Sequence, residues 1–347
     1  MKKYSIKILP KGTLVEASEF STILQTVLNQ GLDYPFGCQS GNCGACKTKL
    51  ISGKVNMISF SEFALTQIEL KSNIILACRA TPLTNCVIVP ATGEFESIST
   101  IKRNKMSIKL LSVENATPSV KILTFSLPIE KKFVFFPGQY ANLKFSSLPY
   151  RSYSMANLPG EKNIEFHIKN IEGGRVSKYI ANQLSIGEEV NIKGPEGNAY
   201  FLMDQHKGPI LAIAGGTGIA PIKSIVTSAL KNGFTKPIKL YFGVRNEKEL
   251  YFVNYFENLK SYHKNLKFTP ALSEPTKNTH IRKGLITDIV MEDIENFEDF
   301  TAYVAGQPEM VLSAQKILSN MGIPKSKIHA DAFFTQYDDK KIKYSNI

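Results

Sequence analysis

The sequence contains no tryptophan and few of several reactive residue types: five cysteines, five histidines and six arginines among 347 residues. It has no run of 18 or more apolar residues, so no segment has the length and composition of a membrane-spanning helix. Residues 1–9 alternate like a strand and do not form the apolar core of a secretory signal peptide. We therefore expect a cytoplasmic protein with no membrane partner and with reduced cysteines.

The formal net charge is +12, which raises the question of a nucleic-acid partner. The lysines, however, are scattered along the whole chain, and no basic helix or basic stripe with interleaved aromatic residues occurs. We expect a solvated lysine surface and no nucleic-acid binding. The length and the hydrophobic content of 43% predict two or three globular domains.

Four cysteines form the most specific motif of the chain. Three lie in one short stretch with the spacing C-x4-C-x2-C, and a fourth follows much later, which is the plant-type spacing for a [2Fe–2S] cluster. Gly41 and Gly44 allow the sharp backbone turns that such a loop needs. The predicted metal ligands are Cys38, Cys43, Cys46 and Cys78.

Two other uses of cysteine fit less well. Zinc ribbons favour two paired C-x2-C knuckles, whereas the fourth cysteine here stands alone. Five is an odd number for a disulfide framework, and no secretory signal is visible. Cys86 lies in a strand-like run and is predicted to be a buried free thiol.

Hydrophobic periodicity divides the chain into three regions. Residues 1–92 predict a small α+β domain with a hairpin, a helix over 21–29 and the cysteine loop, in the order of a β-grasp ferredoxin. Residues 93–105 are polar and predict a linker. Residues 106–203 contain short, evenly spaced strands, which predict an antiparallel barrel.

The last region, 204–334, alternates strands with helices, including one helix over 247–261, and predicts a doubly wound parallel sheet. The whole is thus a multidomain α+β protein. Residues 335–347 form a polar tail, for which the composition favours a disordered segment over a docking arm.

Two glycine-rich turns lie where helices begin and are candidate pyrophosphate sites. The turn at 215–218 departs from the G-x-G-x-x-G fingerprint and would be weak support alone. It is accompanied by a tetrapeptide at 151–154, in which arginine can pair with phosphate, tyrosine can lie on a planar cofactor and hydroxyls can reach ring heteroatoms. The second turn, at 173–177, contains another of the rare arginines.

Together these stretches resemble the ferredoxin–NAD(P)⁺ reductase superfamily with a plant-type ferredoxin fused at the amino terminus. Within it, the chain is most similar to reductases of Rieske-type aromatic-ring dioxygenases, over nearly the full length to about Phe334. The matching stretches are the cysteine loop and residues 137–140, 151–154, 165–169, 173–177, 194–197, 215–221, 241–245, 303–306 and 331–333.

The resemblance implies FAD in the barrel. Tyr153 would lie against the isoalloxazine, Ser154 near the ring nitrogen that takes the hydride, and Phe333 over the flavin face until nicotinamide displaces it. Other residues implied to bind FAD are Arg151 and Ser152 in the tetrapeptide, His167, Ile168 and Lys169 in a strand, and Gly174, Arg175, Val176 and Ser177 at the pyrophosphate.

The nicotinamide nucleotide is implied to lie at the parallel sheet, on Gly215, Gly216, Thr217 and Gly218, with Gly306 and Gln307 near the nicotinamide. Glu274 would repel a 2′-phosphate and favours NADH, whereas Arg245 favours NADPH. We expect NADH, with NADPH as the alternative. Ala305 stands where many relatives carry cysteine.

Electron counting gives the expected function. Nicotinamide releases two electrons as hydride and the cluster accepts one, so flavin has to lie between them. The predicted path runs from NAD(P)H through FAD and the cluster to an oxygenase or its ferredoxin, with the Rieske type favoured. A deoxyhexose dehydratase or a multicomponent monooxygenase is the alternative acceptor, a redox sensor is the alternative function, and a monomer is expected.

Overall fold

The computed structural model describes residues 2–32, 34–36, 39, 41, 44–62, 64–91, 101, 103–276, 279–333 and 345–346. The chain forms two compact units, the first from residues 1–100 with 332–347 and the second from residues 101–331.

A five-stranded mixed sheet forms the first unit, in the order β2-β1-β7-β3-β5. Strands β1 and β7 pair in parallel, while the other neighbours pair antiparallel. Helix α1 crosses the sheet and buries Ile23, Leu24 and Val27 against it. This is the expected β-grasp arrangement. The elements are β1 (Lys3–Ile8), β2 (Thr13–Ser18), α1 (Ile23–Asn29), β3 (Lys47–Ser52), β4 (Val55–Met57), α2 (Gln67–Lys71), β5 (Ile74–Leu76), β6 (Ala80–Pro82) and β7 (Cys86–Pro90).

The first unit also contains a short antiparallel sheet in which β4 pairs with β6. Two residues of the predicted tail, Ser345 and Asn346, pair with β4 on its other side and form the strand β20 (Ser345–Asn346). The rest of the tail prediction, at 335–344 and 347, falls outside the described residues, as do linker residues 93–100 and 102.

Six antiparallel strands of the second unit form the barrel, in the order β11-β10-β13-β8-β9-β12. The two outer strands meet through a bridge between Met155 and Phe166, which closes the sheet on itself. Alternate apolar residues fill the interior, among them Phe125, Phe145 and Phe166. The elements are β8 (Asn104–Thr117), β9 (Val120–Ser126), β10 (Tyr140–Lys144), β11 (Arg151–Ser154), β12 (Asn163–Lys169), α3 (Arg175–Asn182) and β13 (Glu189–Glu196).

A second six-stranded sheet follows, in the order β17-β16-β15-β14-β18-β19. Its central strands are parallel and almost wholly apolar, as expected for a sheet with helices on both faces. The order reverses at β14, so the region is doubly wound. The elements are β14 (Ile210–Gly215), α4 (Ile219–Lys231), β15 (Ile238–Val244), α5 (Val253–Tyr262), β16 (Leu266–Leu272), β17 (Arg282–Lys283), α6 (Ile286–Asp293), β18 (Thr301–Gly306), α7 (Pro308–Asn320) and β19 (Ile328–Ala332).

One predicted helix is divided in two. Residues 247–261 were expected to form a single helix, but a 3₁₀ turn at Glu247–Glu249 is followed by a break, and α5 starts only at Val253. The break lies at Phe252, which has a left-handed backbone with φ 61°. A large side chain in this conformation is uncommon, so tertiary contacts must stabilise it.

Among the described helices, all fall short of the length and apolar character that crossing a membrane requires.

Candidate electron-transfer site

Two of the four predicted cluster ligands lie side by side in the first unit. Cys46 and Cys78 are both buried, and their Sγ atoms lie 3.2 Å apart. Two thiolates that bind one metal ion at about 2.3 Å each can be at most about 4.6 Å apart, so this separation fits shared ligation. Cys38 and Cys43 lie outside the described residues. Cys86 is buried and donates toward backbone carbonyls of Lys54 and Thr84, and burial raises the pKa of its thiol.

The loop glycines have the backbone that the cysteine spacing requires. Gly41 has φ +78° and Gly44 has φ +72°, in the left-handed region that favours glycine. A Cβ atom on Gly41 would approach the Arg79 side chain at 2.9 Å, and one on Gly44 would approach the Ala64 carbonyl at 2.9 Å. Both positions are therefore closed to larger residues.

The predicted flavin tetrapeptide forms β11, at the outer edge of the barrel sheet. Ser152 is exposed and donates to Asn142 at 2.8 Å, and Arg151 donates to the carbonyl of Tyr150 at 2.9 Å. Tyr153 is half-buried against the barrel core. Ser154 is buried, and its hydroxyl donates to the carboxylate of Asp331 at 3.3 Å. The barrel thus presents a guanidinium group and a half-exposed ring on one short strand, which fits a flavin nucleotide.

Gly174 is the N-cap of α3, in which no side chain caps the first turn. The first N–H groups of a helix have no partner within it, so they are available to an anion. Arg175 is exposed, whereas Val176 and Ser177 are buried. The Ser177 hydroxyl accepts from the backbone N–H of Ile171 and donates to the Ile171 carbonyl, each at 3.1 Å. These bonds join the two ends of the loop. This geometry fits a pyrophosphate-binding site.

The glycine turn after β14 packs tightly on the neighbouring strand β18. A Cβ atom on Gly218 would lie 2.0 Å from the Ala305 carbonyl, and one on Gly306 would lie 2.5 Å from the Gly215 carbonyl. At Gly216, by contrast, φ is +55° and no atom lies within 4 Å of a Cβ position. Thr217 follows in the same turn, and Gln307 is exposed at the start of α7. The turn is open on the side where a dinucleotide would lie.

Arg245 follows β15 and forms an ion pair with Glu249, with Nε donating to the carboxylate at 2.8 Å. The backbone N–H of Glu274, at the end of β16, donates to the carbonyl of Arg245 at 2.7 Å. Glu274 itself is exposed. Arg245, which was expected to favour NADPH, is therefore already paired with the Glu249 carboxylate and has Glu274 near it.

The predicted flavin residues of β12 have different environments. The imidazole of His167 is buried between Tyr251 and Phe252, with the Phe252 ring stacked 5.2 Å from it. Ile168 is in the barrel core, and Lys169 is partly exposed. Phe333, which follows β19, is half-buried.

No local sequence pattern indicates the side chains that surround His167. Glu165 accepts from His167 Nε2 at 2.9 Å and from Lys223 Nζ at 2.8 Å, and the Tyr251 hydroxyl lies 3.2 Å from His167 Nδ1. Burial alone would raise the pKa of Glu165, but the His167 hydrogen bond and the Lys223 charge lower that pKa to about 2. Burial lowers the pKa of His167, so the imidazole is neutral at pH 7.

A buried pair of cysteines, a barrel with an arginine on its outer strand and a parallel sheet with an open glycine turn fit one class of protein. It is an oxidoreductase that combines an iron–sulfur domain with flavin-binding and nicotinamide-binding regions.

Comparison with known proteins agrees region by region. Residues 6–83 match the 2Fe-2S iron-sulfur cluster binding domain, residues 107–201 the oxidoreductase FAD-binding domain and residues 212–316 the oxidoreductase NAD-binding domain.

Three relatives match over nearly their whole length. The reductase component of the naphthalene 1,2-dioxygenase system of Pseudomonas putida is 37% identical, over 94% of this chain and 98% of the relative. The reductase component of phenol 2-monooxygenase from Pseudomonas sp. strain CF600 is 32% identical over 96% of each chain. The crystal structure of the Amycolatopsis cytochrome P450 reductase GcoB has a TM-score of 0.76 at 27% identity, over 95% of this chain and 98% of that one.

The chain therefore belongs to the ferredoxin–NAD(P)⁺ reductase family, in the branch that carries an N-terminal [2Fe–2S] domain. It is an NAD(P)H-dependent oxidoreductase with FAD and a [2Fe–2S] cluster as cofactors, and it works as an electron-transfer reductase.

Proposed function

We propose that the chain transfers electrons from NADH to an oxygenase of the Rieske aromatic-ring type, or to the ferredoxin that serves it. The observation that carries this proposal is the 37% identity to a naphthalene dioxygenase reductase component over almost the whole of both chains. The match spans all three cofactor regions, so it concerns the complete electron path. We also propose that the protein acts as a cytoplasmic monomer, with the domain boundaries 1–92, 106–203 and 204–334.

The role of each site residue is part of the proposal. Arg151, Ser152 and the turn at 174–177 would hold the phosphates and ring heteroatoms of FAD, and Tyr153 would lie against its isoalloxazine. A bound FAD supplies the conversion between two-electron and one-electron transfer. Phe333 would cover the flavin until nicotinamide arrives. The backbone of 167–169, the turn at 215–218, Gly306 and Gln307 would complete the two nucleotide sites.

For the cluster, the ligands would be Cys38, Cys43, Cys46 and Cys78. The short separation of Cys46 and Cys78 supports their binding of one iron. The bound cluster supplies single-electron transfer to the outside acceptor.

The preference for NADH rests on the charges around Arg245. Because Glu249 already binds its guanidinium and Glu274 lies beside it, a 2′-phosphate would meet two carboxylates. Ribose hydroxyls, in contrast, can donate to carboxylates. We expect kcat/KM for NADH to exceed that for NADPH by about tenfold or more, which corresponds to about 1.4 kcal/mol.

The test uses the holoprotein with NADH and three purified acceptors: a Rieske ferredoxin, the hydroxylase of a multicomponent monooxygenase and a deoxyhexose dehydratase. Cytochrome c serves as a general one-electron acceptor. The proposal predicts NADH-driven turnover with cytochrome c and the fastest reduction with the Rieske ferredoxin. No turnover with any acceptor would favour the sensor alternative, and a faster reaction with another specific acceptor would replace the Rieske partner.

A further inference from the structure

The first two turns of helix α4 link the two predicted cofactor sites of the second unit. It begins one residue after Gly218, the last residue of the predicted nicotinamide turn. Its second turn carries Lys223 and Ser224, both of which are buried. These two side chains bond to the segment that directly follows Ser154, the last residue of the predicted flavin strand β11.

The contacts are specific and converge on a few atoms. Ser224 Oγ donates to the carbonyl of Asn157 at 2.7 Å. Lys223 Nζ donates to the carbonyl of Ala156 at 3.3 Å and to the carboxylate of Glu165 at 2.8 Å. We call these five residues the α4 anchor: Ala156, Asn157, Glu165, Lys223 and Ser224.

The residues that accept bonds from α4 are themselves held by further hydrogen bonds. The backbone N–H of Ala156 donates to the carbonyl of Glu165 at 2.9 Å, and the Asn157 side chain accepts from the N–H of Glu165 at 3.0 Å. The segment after β11 is therefore tied to β12, the other strand at the closure of the barrel. A displacement of α4 would be transmitted to both strands.

A second set of contacts holds the Lys223–Glu165 pair in place. His167 donates to Glu165 through Nε2 and, through Nδ1, faces the Tyr251 hydroxyl, which fixes one tautomer of the neutral ring. The Phe252 ring stacks on His167 and lies 5.0 Å from Lys223 Nζ. Phe252 is the residue with the left-handed backbone. Strain of this kind persists where surrounding contacts over-determine it, and it is found at functional sites.

Stability alone does not account for a largely buried ion pair at this position. Desolvation of two charges offsets much of their attraction, and well-packed apolar residues often serve a core as well or better. What a paired lysine and carboxylate add is one defined geometry. We propose that the α4 anchor fixes the nicotinamide turn relative to the flavin strand, so that Lys223 is a positioning residue for hydride transfer. This inference rests on the proposed function, since it concerns the NADH half-reaction.

The test measures flavin reduction by NADH in the anaerobic holoprotein by stopped-flow absorbance. In Lys223→Met, which removes the ammonium group, we expect the rate constant at saturating NADH to fall about 10- to 100-fold. A displacement of about 1 Å between reacting groups has an effect of this size. The Kd for NADH should stay within about threefold, because no anchor residue is among those proposed to bind the nucleotide. The charge-transfer absorbance of the nicotinamide–flavin complex should weaken, while FAD content is unchanged.

Three further variants separate positioning from folding. Lys223→Arg keeps the charge and should recover most of the rate. Lys231→Met, at the exposed end of the same helix, should behave as wild type. If Lys223→Met fails to fold because the Glu165 carboxylate has lost its cation, Glu165→Gln/Lys223→Met removes both charges; it should fold, bind FAD and still be slow.

A folded Lys223→Met or double variant that is reduced within about twofold of the wild-type rate, with its charge-transfer band intact, would overturn the anchor. That outcome differs from failure of the proposed function, in which NADH would not reduce the flavin of the wild-type protein.

Discussion

Ser154 donates a hydrogen bond to the carboxylate of Asp331 at 3.3 Å, across 177 residues of sequence. The bond joins the end of the predicted flavin strand to β19 in the parallel sheet. The bond holds the Ser154 side chain in one orientation. In the proposed site, this side chain lies near the flavin ring nitrogen that accepts the hydride.

We predict that Ser154→Ala lowers the rate constant for flavin reduction by NADH about tenfold. The loss of one hydrogen bond made in the transition state, about 1.4 kcal/mol, gives this factor. FAD content should be unchanged. Ser126→Ala, which removes a partly exposed hydroxyl from the end of β9, is the matched control and should keep the wild-type rate. A wild-type rate in Ser154→Ala would remove the serine from the hydride path.

The buried cysteines of the first unit give a direct test of the cluster ligands. Cys78→Ser should lose iron and the visible absorbance of the cluster, because a hydroxyl is a poor substitute for a thiolate ligand. NADH-driven reduction of cytochrome c should fall at least about tenfold, whereas reduction of ferricyanide by the flavin should persist.

Cys86→Ala is the control for that experiment, since Cys86 is equally buried but its Sγ faces backbone carbonyls. It should retain iron at the wild-type level. A full iron content in Cys78→Ser would show that another residue is the fourth ligand.

Acid should destabilise the second unit through His329, which is partly buried and stacks 4.8 Å from the Tyr303 ring. Burial lowers the pKa of His329 to about 4, and burial likewise lowers the pKa of its neighbour His206 to about 4. An unfolded histidine has a pKa of about 6.5, so below that pH the unfolded chain binds more protons than the folded one. The stability is complete above about pH 6.5 and is lost as the pH falls toward about 4.

For His329 alone, the free energy of unfolding should fall by about 3 kcal/mol between pH 7 and pH 4. Urea unfolding followed by circular dichroism at several pH values measures this slope. His329→Phe should flatten it, and His280→Gln, at an exposed position, should leave it unchanged. An identical slope in His329→Phe and wild type would assign the acid sensitivity to other groups.

The nucleotide preference should be reversible at the carboxylates near Arg245. In Glu249→Gln/Glu274→Arg, the Arg245 guanidinium loses its partner and a second cation is added. We expect kcat/KM for NADPH to rise about tenfold or more, because both cations can pair with a 2′-phosphate. Glu257→Gln removes an exposed carboxylate from α5 and should leave the NADH/NADPH ratio unchanged. If kcat/KM for NADPH does not rise in the double variant, the 2′ position of the bound nucleotide does not lie near these residues.

Local sequence patterns predicted the framework well. The strand expected at 120–127 is observed at Val120–Ser126, and the helix expected at 220–230 is observed at Ile219–Lys231. Both follow from hydrophobic periodicity within one element, and the glycine turn between strand and helix is equally local. The resemblance then supplied the cofactors and the roles of the site residues.

The contacts that tie the second unit together were not predictable in this way. Lys223 is one of two lysines in the largely apolar helix α4, and a pattern treats it as a surface residue. Its partner Glu165 lies 58 residues away. The Phe252 ring at the break packs on its neighbours Tyr251 and Tyr255 and also on the distant His167 ring. Such pairings depend on tertiary packing, which short-range hydrophobic periodicity does not predict.

The central claim is that one polypeptide passes electrons from NADH through a flavin to a [2Fe–2S] cluster. Its most direct test is an anaerobic NADH titration of the purified holoprotein, with the flavin followed by absorbance and the reduced cluster by electron paramagnetic resonance. The account predicts flavin bleaching together with the signal of a reduced [2Fe–2S] cluster, in a protein that contains one FAD and two irons per chain. A flavin that bleaches while the cluster stays oxidised, or a protein that holds zinc in place of iron, would contradict it.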